Sequence, residues 1–106
     1  MDIIWTSPAK ESLYETLNYI KKQIGEVTAR NVWKSINKQV DLLISNPCMG
    51  CEFLSHPEYQ LRFIVIQKRS KVFYSIQGEA IYIVLVWDTR QAPELLESRI
   101  AYLYSK

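Results

Sequence analysis

The chain has 106 residues, 48% of them hydrophobic, so one domain spanning residues 1–106 can bury a core without metals or disulfides. Its three Gly and four Pro exclude a long disordered or collagen-like chain. The net charge of +2 is too small to indicate nucleic-acid binding by itself, and no apolar run approaches the roughly 20 residues of a membrane span. Because Met1 and Asp2 lead directly into a strand-like run, without the basic segment of a signal peptide, we expect a cytoplasmic protein with no membrane contact.

The first half of the chain predicts a strand followed by two amphipathic helices. Residues 2–6 are typical of a short strand, and Ser7 and Pro8 supply an N-cap and a first helical residue. The first helix then ends at Gly25, and the second is predicted over residues 27–45. Apolar residues recur at helical spacing in both helices, at Leu13, Leu17, Ile20, Ile24, Val32, Ile36, Val40 and Leu43. The two helices therefore form a hairpin whose apolar face needs a sheet to cover it.

The second half predicts a loop, three strands and a final helix. The loop spans residues 46–59, a length that favours a functional or locally packed segment. Strands are predicted over residues 61–66, 71–76 and 80–87, the last of which is apolar on both faces, as in a central strand. A final helix begins at Pro93, and its apolar side consists of Leu95, Leu96, Ile100 and Leu103. The order β-α-α-β-β-β-α predicts an α+β fold in which the helical hairpin packs on a small, mainly antiparallel sheet.

The two cysteines, Cys48 and Cys51, form one C-x-x-C pair. With the single histidine, His56, they supply three ligands, one fewer than a structural zinc site needs. A thioredoxin-like pair opens a helix after a strand, whereas this pair follows a helix and precedes a loop. We therefore expect reduced, incidental cysteines, no metal and no cofactor.

Cationic side chains mark three places in the second half of the chain. Arg62 shares a strand face with apolar residues, so its charge must be paired or must face an open surface. Lys68, Arg69 and Lys71 cluster at a hairpin turn that could bind phosphates. Arg90 follows the last strand, in a loop of the kind that often carries functional residues.

Each of these places also has a purely structural interpretation. Arg62 can fold back over the sheet, and the basic turn can protect an exposed hairpin edge. Arg90 can contact Asp88 and only shape the turn. Composition and spacing leave both interpretations open.

One chemical hypothesis uses three of these cations together. If Arg62, Lys71 and Arg90 converge on the sheet face away from the helical hairpin, they can stabilise a phosphate during RNA cleavage by its 2′-hydroxyl. Such a reaction also needs a proton acceptor and a proton donor, for which His56, Tyr74 or a tyrosine of the tail are the candidates. Conventional hydrolase motifs are absent from the sequence.

Three segments resemble the RelE/ParE superfamily of type II toxins. Residues 61–62, Leu-Arg before an apolar run, are similar to that family's arginine-led strand, and residues 71–76, KVFYSI, to its strand of basic, apolar, apolar and tyrosine residues. Residues 84–94, VLVWDTRQAPE, resemble the ParE-side ending, in which an apolar strand leads to an arginine and a proline-started segment. The order of elements matches over nearly the whole chain. Candidate binding residues, taken from these segments and the basic turn, are Lys68, Arg69, Tyr74, Trp87 and Asp88.

The resemblance implies a growth-inhibiting toxin that binds a cognate antitoxin. RelE-like members cut mRNA on the ribosome with Lys, Arg and Tyr side chains, whereas ParE-like members inhibit DNA gyrase and lack that set. This chain has no tyrosine shortly after Arg90 and no Lys or Arg in residues 52–60, and both departures favour ParE. The primary hypothesis is therefore a gyrase inhibitor with no catalytic centre, which could form a homodimer or a hetero-oligomer with its antitoxin.

Two alternatives remain open. The first is a ribosome-dependent mRNA endonuclease that uses Arg62, Lys71 and Arg90, with Tyr102 or Tyr104 replacing the missing tyrosine. The second is a decayed toxin that only binds its antitoxin and represses its own operon with it.

Overall fold

A five-stranded mixed sheet organises residues 1–105, which are the residues that this computed structural model describes. The elements in chain order are β1 (Asp2–Trp5), α1 (Ser7–Gln23), α2 (Glu26–Leu43), β2 (Cys51–Glu52), a 3-10 turn (Pro57–Tyr59), β3 (Leu61–Ile66), β4 (Ser70–Gln77), β5 (Ala80–Asp88) and α3 (Pro93–Leu103). The strand order is β1-β5-β4-β3-β2, with β1 parallel to β5 and the other pairs antiparallel. The predicted α+β fold is confirmed, and the two-residue strand β2 is an addition to it.

The helical hairpin begins and turns close to the predicted positions. The N-cap of α1 is Thr6 rather than the predicted Ser7, because the Thr6 hydroxyl accepts a hydrogen bond from the Ala9 amide at 3.3 Å. Between the helices, Gly25 has a φ of +137°, a left-handed backbone conformation that residues other than glycine rarely adopt.

The hairpin packs on one sheet face and encloses an aliphatic core. The predicted stripe of α2 is confirmed, since Val32, Ile36, Val40 and Leu43 are all buried. The stripe of α1 is partly wrong: Ile20 is buried, but Ile24 is exposed. Leu13 and Leu17 are partly buried and pack against this core, while the other fully buried positions of α1 hold smaller residues, namely Ala9, Ser12 and Thr16.

Small residues suit this position because α1 crosses close to β5. The Ser12 hydroxyl accepts a hydrogen bond from the Val86 amide at 2.9 Å, and the Thr6 hydroxyl donates to the Ile83 carbonyl at 2.8 Å. Strand β1 pairs only with residues 80–83, so the Ser12 hydroxyl takes over a backbone group beyond the end of β1. A leucine at position 12 would remove that acceptor.

Helix α3 covers the other sheet face over a smaller core of mixed aromatic and aliphatic residues. That core consists of Phe53, Leu61, Phe73, Leu85, Trp87, Leu96 and Ile100. Phe73 pairs with Leu85 and Tyr74 with Ile83, so Val84 is an extra residue in β5 that shifts the alternation of its side chains. The predicted inward position of Leu95 is wrong, because this side chain is 56% exposed.

Candidate functional site

The Arg62 guanidinium binds the loop that precedes β2. Its Nη1 donates to the carbonyls of Gly50 at 2.8 Å and Cys48 at 3.3 Å, and its Nη2 lies 3.4 Å from Glu52 Oε1. The guanidinium therefore satisfies carbonyl groups of a loop that has little regular structure. This contact is structural, although Arg62 binds the loop instead of folding back over the sheet.

Tyr74 binds the backbone of the same loop through its hydroxyl. The side chain is fully buried, and its hydroxyl donates to the Pro47 carbonyl at 2.7 Å and accepts from the Gly50 amide at 3.0 Å. Burial raises the pKa of this phenol, against the opposing effects of the Gly50 N–H and the Arg62 guanidinium. Tyr74 is thus a neutral anchor of the loop rather than a proton acceptor.

Gly50 is the residue of this junction that sequence reasoning missed. A Cβ at this position would lie 2.7 Å from the Tyr74 hydroxyl and 2.8 Å from the Phe63 carbonyl, closer than real Cβ contacts allow. Only glycine therefore lets the chain pass over Tyr74. The available signal was a lone glycine within a long loop.

The basic turn is shaped by its backbone and by one tether. Gln67 and Lys68 have φ values of +51° and +58°, which places two side-chain-bearing residues in the left-handed region of a tight hairpin turn. The Gln67 amide donates to the Ser35 hydroxyl of α2 at 2.8 Å. Lys68 is exposed, whereas the Lys71 ammonium lies 4.6 Å from the Phe63 ring centroid, on the α3 face.

Arg90 and Asp88 form a turn at the end of β5. Asp88 is fully buried, and its Oδ1 accepts from the Arg90 amide at 2.8 Å and lies 3.6 Å from Arg90 Nε. Among residues 1–105, Asp88 Oδ2 has no hydrogen-bond partner. The Arg90 guanidinium lies 5.7 Å from the Tyr19 ring of α1, so this arginine faces the hairpin side. Trp87, next to it, is 5% exposed within the α3-face core.

The expectation that Arg62, Lys71 and Arg90 converge on the sheet face away from the hairpin is wrong. Arg62 lies beside Tyr74 on the hairpin face, and Lys71 lies over Phe63 on the opposite face. Arg90 is placed by Asp88 and Tyr19 at the end of β5. Successive side chains of a strand point to opposite sheet faces, and this alternation along β3 and β4 places Arg62 and Lys71 on different faces.

The remaining acid–base candidates are engaged in a separate cluster. His56 Nε2 lies 2.6 Å from Glu97 Oε2 of α3, and Nδ1 lies 3.1 Å from Glu58 Oε1. The hydrogen bond to Glu97 is the main cause that raises the pKa of His56, with Glu58 adding to it and partial desolvation opposing it. Burial raises the pKa of the Tyr104 phenol as well. His56 therefore ties the loop to α3.

The two cysteines are exposed free thiols. In the part of the chain that the structure describes, no three His, Cys, Asp or Glu side chains are placed to hold a metal ion. The same residues include no helix long and apolar enough to cross a membrane.

Sequence reasoning also missed a groove between α1 and α2, on the outer side of the hairpin. This hairpin groove has a volume of about 360 Å³ and is lined mainly by apolar residues, among them Leu13, Leu17, Ala29 and Trp33. Tyr14, which also lines it, is 73% exposed. The available signal was the presence of Tyr14 and Trp33 outside the predicted stripes, whereas Leu13 and Leu17 were assigned to a stripe.

Comparisons with known proteins agree with this architecture. No curated protein sequence matches the chain significantly. A solved structure described as the chromosomal ParDE toxin–antitoxin system from P. aeruginosa is similar in fold, with a TM-score of 0.65 at 20% identity, covering 83% of this chain and 95% of that one. A family model described as the ParE toxin of the type II toxin–antitoxin system parDE matches residues 3–93. The match spans most of the chain, which therefore belongs to the ParE toxin family of type II toxin–antitoxin systems.

Proposed function

We propose that this ParE-family chain arrests growth by binding and inhibiting DNA gyrase and that a cognate antitoxin neutralises it. One observation carries the choice of an inhibitor over a nuclease: the three cations that would surround a phosphate point to different parts of the molecule. Electrostatic stabilisation of a phosphoryl transition state needs donors aimed at one point. An inhibitor that works by binding has no such requirement.

The proton-transfer candidates support the same choice. Tyr74 is buried with both hydrogen-bonding functions of its hydroxyl in use, and His56 is held between two carboxylates near α3. Arg90, by contrast, contacts Asp88 and Tyr19. A general base within hydrogen-bonding reach of a substrate bound at Arg90 would have to come from elsewhere.

The hairpin groove suits a helical antitoxin segment. Its apolar lining offers the surface that an amphipathic helix buries when it binds in a groove. The charged residues along it are Lys21, Arg30 and Glu26, and Arg30 Nη2 lies 3.8 Å from Glu26 Oε1. One positive charge remains in excess, which favours the acidic segment typical of such antitoxins.

The antitoxin part of the proposal is tested by co-expression. The chain expressed alone should arrest growth, and the small reading frame next to its gene should relieve the arrest. Tyr14→Asp should weaken relief by that partner without reducing toxicity, because Tyr14 lines the hairpin groove and is 73% exposed. A chain that is harmless when expressed alone would favour the decayed-toxin alternative.

The target is tested with two purified systems. The wild-type chain, incubated with gyrase and relaxed plasmid, should reduce supercoiling, and incubated with translating ribosomes it should leave mRNA intact. Codon-phased mRNA cleavage together with normal supercoiling would overturn the proposal and establish the endonuclease alternative.

A further inference from the structure

A second groove lies between α1 and α3, across the exposed strip of α1 from the hairpin groove. Glu11 and Glu15 line it from α1, and Leu95 and Arg99 from α3, around a volume of about 560 Å³ that reaches Trp87. Glu11 and Glu15 of this groove are each three residues from a lining residue of the hairpin groove, Tyr14 and Asn18, and residues at that spacing are neighbours on a helix surface. The two grooves therefore flank one exposed strip of α1.

The α1–α3 groove combines an apolar wall with a negative rim. Leu95 is 56% exposed, although it is an apolar residue of α3. Arg99 Nη2 lies 3.3 Å from Glu15 Oε2 and offsets one of the two carboxylates. Glu11, one helical turn before Glu15, leaves the groove with one negative charge in excess, although the whole chain carries +2.

This charge limits what the groove can bind. An acidic segment would bring like charges together at Glu11 and Glu15, whereas a basic side chain would be attracted and an adjacent apolar side chain would cover Leu95. The hairpin groove has the opposite excess charge. The two exposed apolar surfaces therefore select different partners.

We propose that the α1–α3 groove is the docking site for the toxin's target and that it takes a target segment presenting a basic side chain beside an apolar one. This inference rests on the proposed function, which supplies gyrase as the target. Because Glu11 and Tyr14 are neighbours on α1, a folded partner in one groove restricts access to the other. Occupation of the hairpin groove by an antitoxin thereby disfavours target binding in the α1–α3 groove.

The inference is tested by measuring the Kd of gyrase holoenzyme for immobilised variants of this chain, with supercoiling inhibition as a second readout. Leu95→Asp should weaken binding by about 30-fold, the loss expected at an interface hot spot. Leu54→Asp is the matched control, since Leu54 is 72% exposed outside the groove, and its Kd should stay within about twofold of wild type.

A charge reversal gives an independent measurement. Glu11→Lys should weaken gyrase binding by about tenfold at low salt, and the deficit should shrink as ionic strength rises. Glu79→Lys changes the net charge equally in the β4–β5 turn and should have no comparable effect.

The outcomes separate this inference from the function on which it rests. Wild-type binding that Leu95→Asp and Glu11→Lys leave unchanged would overturn the docking site and leave the gyrase proposal standing. Absence of wild-type binding to gyrase would overturn both.

Discussion

The two faces of the sheet differ in how their cores are built. The hairpin face buries aliphatic side chains from two helices that are adjacent in sequence. The α3 face buries aromatic and aliphatic side chains from the loop, from β3 to β5 and from the last helix, so its residues come from distant parts of the chain. The first core follows from helical periodicity, whereas the second depends on a loop that has to be held in place.

Polar and ring contacts hold that loop. His56 stacks on Tyr59 with ring centroids 5.2 Å apart, and Tyr59 stacks on Tyr104 at 4.2 Å. Phe53 packs edge-on against Phe73 at 5.3 Å. The α3 face is therefore a second, separately fastened layer, and the comparison predicts that its loss is less damaging than a loss on the hairpin face.

The largest expected effect comes from placing a charge in each core. Ile36 on the hairpin face and Ile100 on the α3 face are both essentially unexposed. Ile36→Asp should unfold the domain, because losing roughly 1.5–3 kcal/mol of burial and adding a buried charge approaches the whole stability of about 5–15 kcal/mol. Ile100→Asp should lower the Tm but leave a cooperative transition.

Hydrogen exchange distinguishes the two variants in detail. In Ile100→Asp, amides of α3 should lose protection while those of α2 keep it. Equal loss of protection in both helices would show that the two faces form one cooperative unit, contrary to the comparison.

A smaller effect is expected at the junction beneath the loop. Tyr74→Phe removes the hydroxyl that joins the Pro47 carbonyl and the Gly50 amide, and it should cost about 1–3 kcal/mol in urea unfolding. Tyr14→Phe is the matched control, because Tyr14 is 73% exposed, and it should change stability by less than about 0.5 kcal/mol. Equal stabilities for the two variants would mean that the loop is not anchored by Tyr74.

The smallest effect concerns the fastening of α3 and depends on pH. The folded-state pKa of His56 is raised above its ordinary value, chiefly by the hydrogen bond to Glu97. The resulting stabilisation is fully present below the unfolded-state pKa and is lost as pH rises through the folded-state pKa. The Tm difference between wild type and His56→Gln should therefore be largest near pH 6 and decline as the solution becomes alkaline. A difference that grows with pH would contradict this assignment.

The sequence predicted local patterns well and tertiary placement less well. The stripe of α2 and the bounds of β3 follow from periodicity and are confirmed. The inward face of α1 was misassigned because Ser12 is needed to accept a hydrogen bond from Val86, which no helical pattern reveals. The prediction that Arg62 converges with other cations was wrong for a similar reason. The carbonyls that bind Arg62 belong to a loop of irregular backbone, which no sequence pattern reveals.

The family could be inferred from ordered segments, but the surfaces could not. The hairpin groove includes Tyr14, which sequence reasoning left unassigned, and the α1–α3 groove includes Leu95, which it assigned to the apolar side of the last helix. The shape of a groove depends on how two helices pack against each other, and the periodicity of one helix does not contain that information.

The most direct test of the central claim is inhibition of gyrase supercoiling by the double variant Lys71→Ala/Arg90→Ala. The two side chains lie on different parts of the molecule, and because Arg90 pairs with the buried Asp88, the Tm of the double variant is measured first to establish that it is folded. If the protein acts by binding through the α1–α3 groove, the double variant should inhibit supercoiling within a few-fold of wild type. Loss of all toxic activity in this variant, together with ribosome-dependent mRNA cleavage by the wild type, would show instead that the two cations act in a nuclease site.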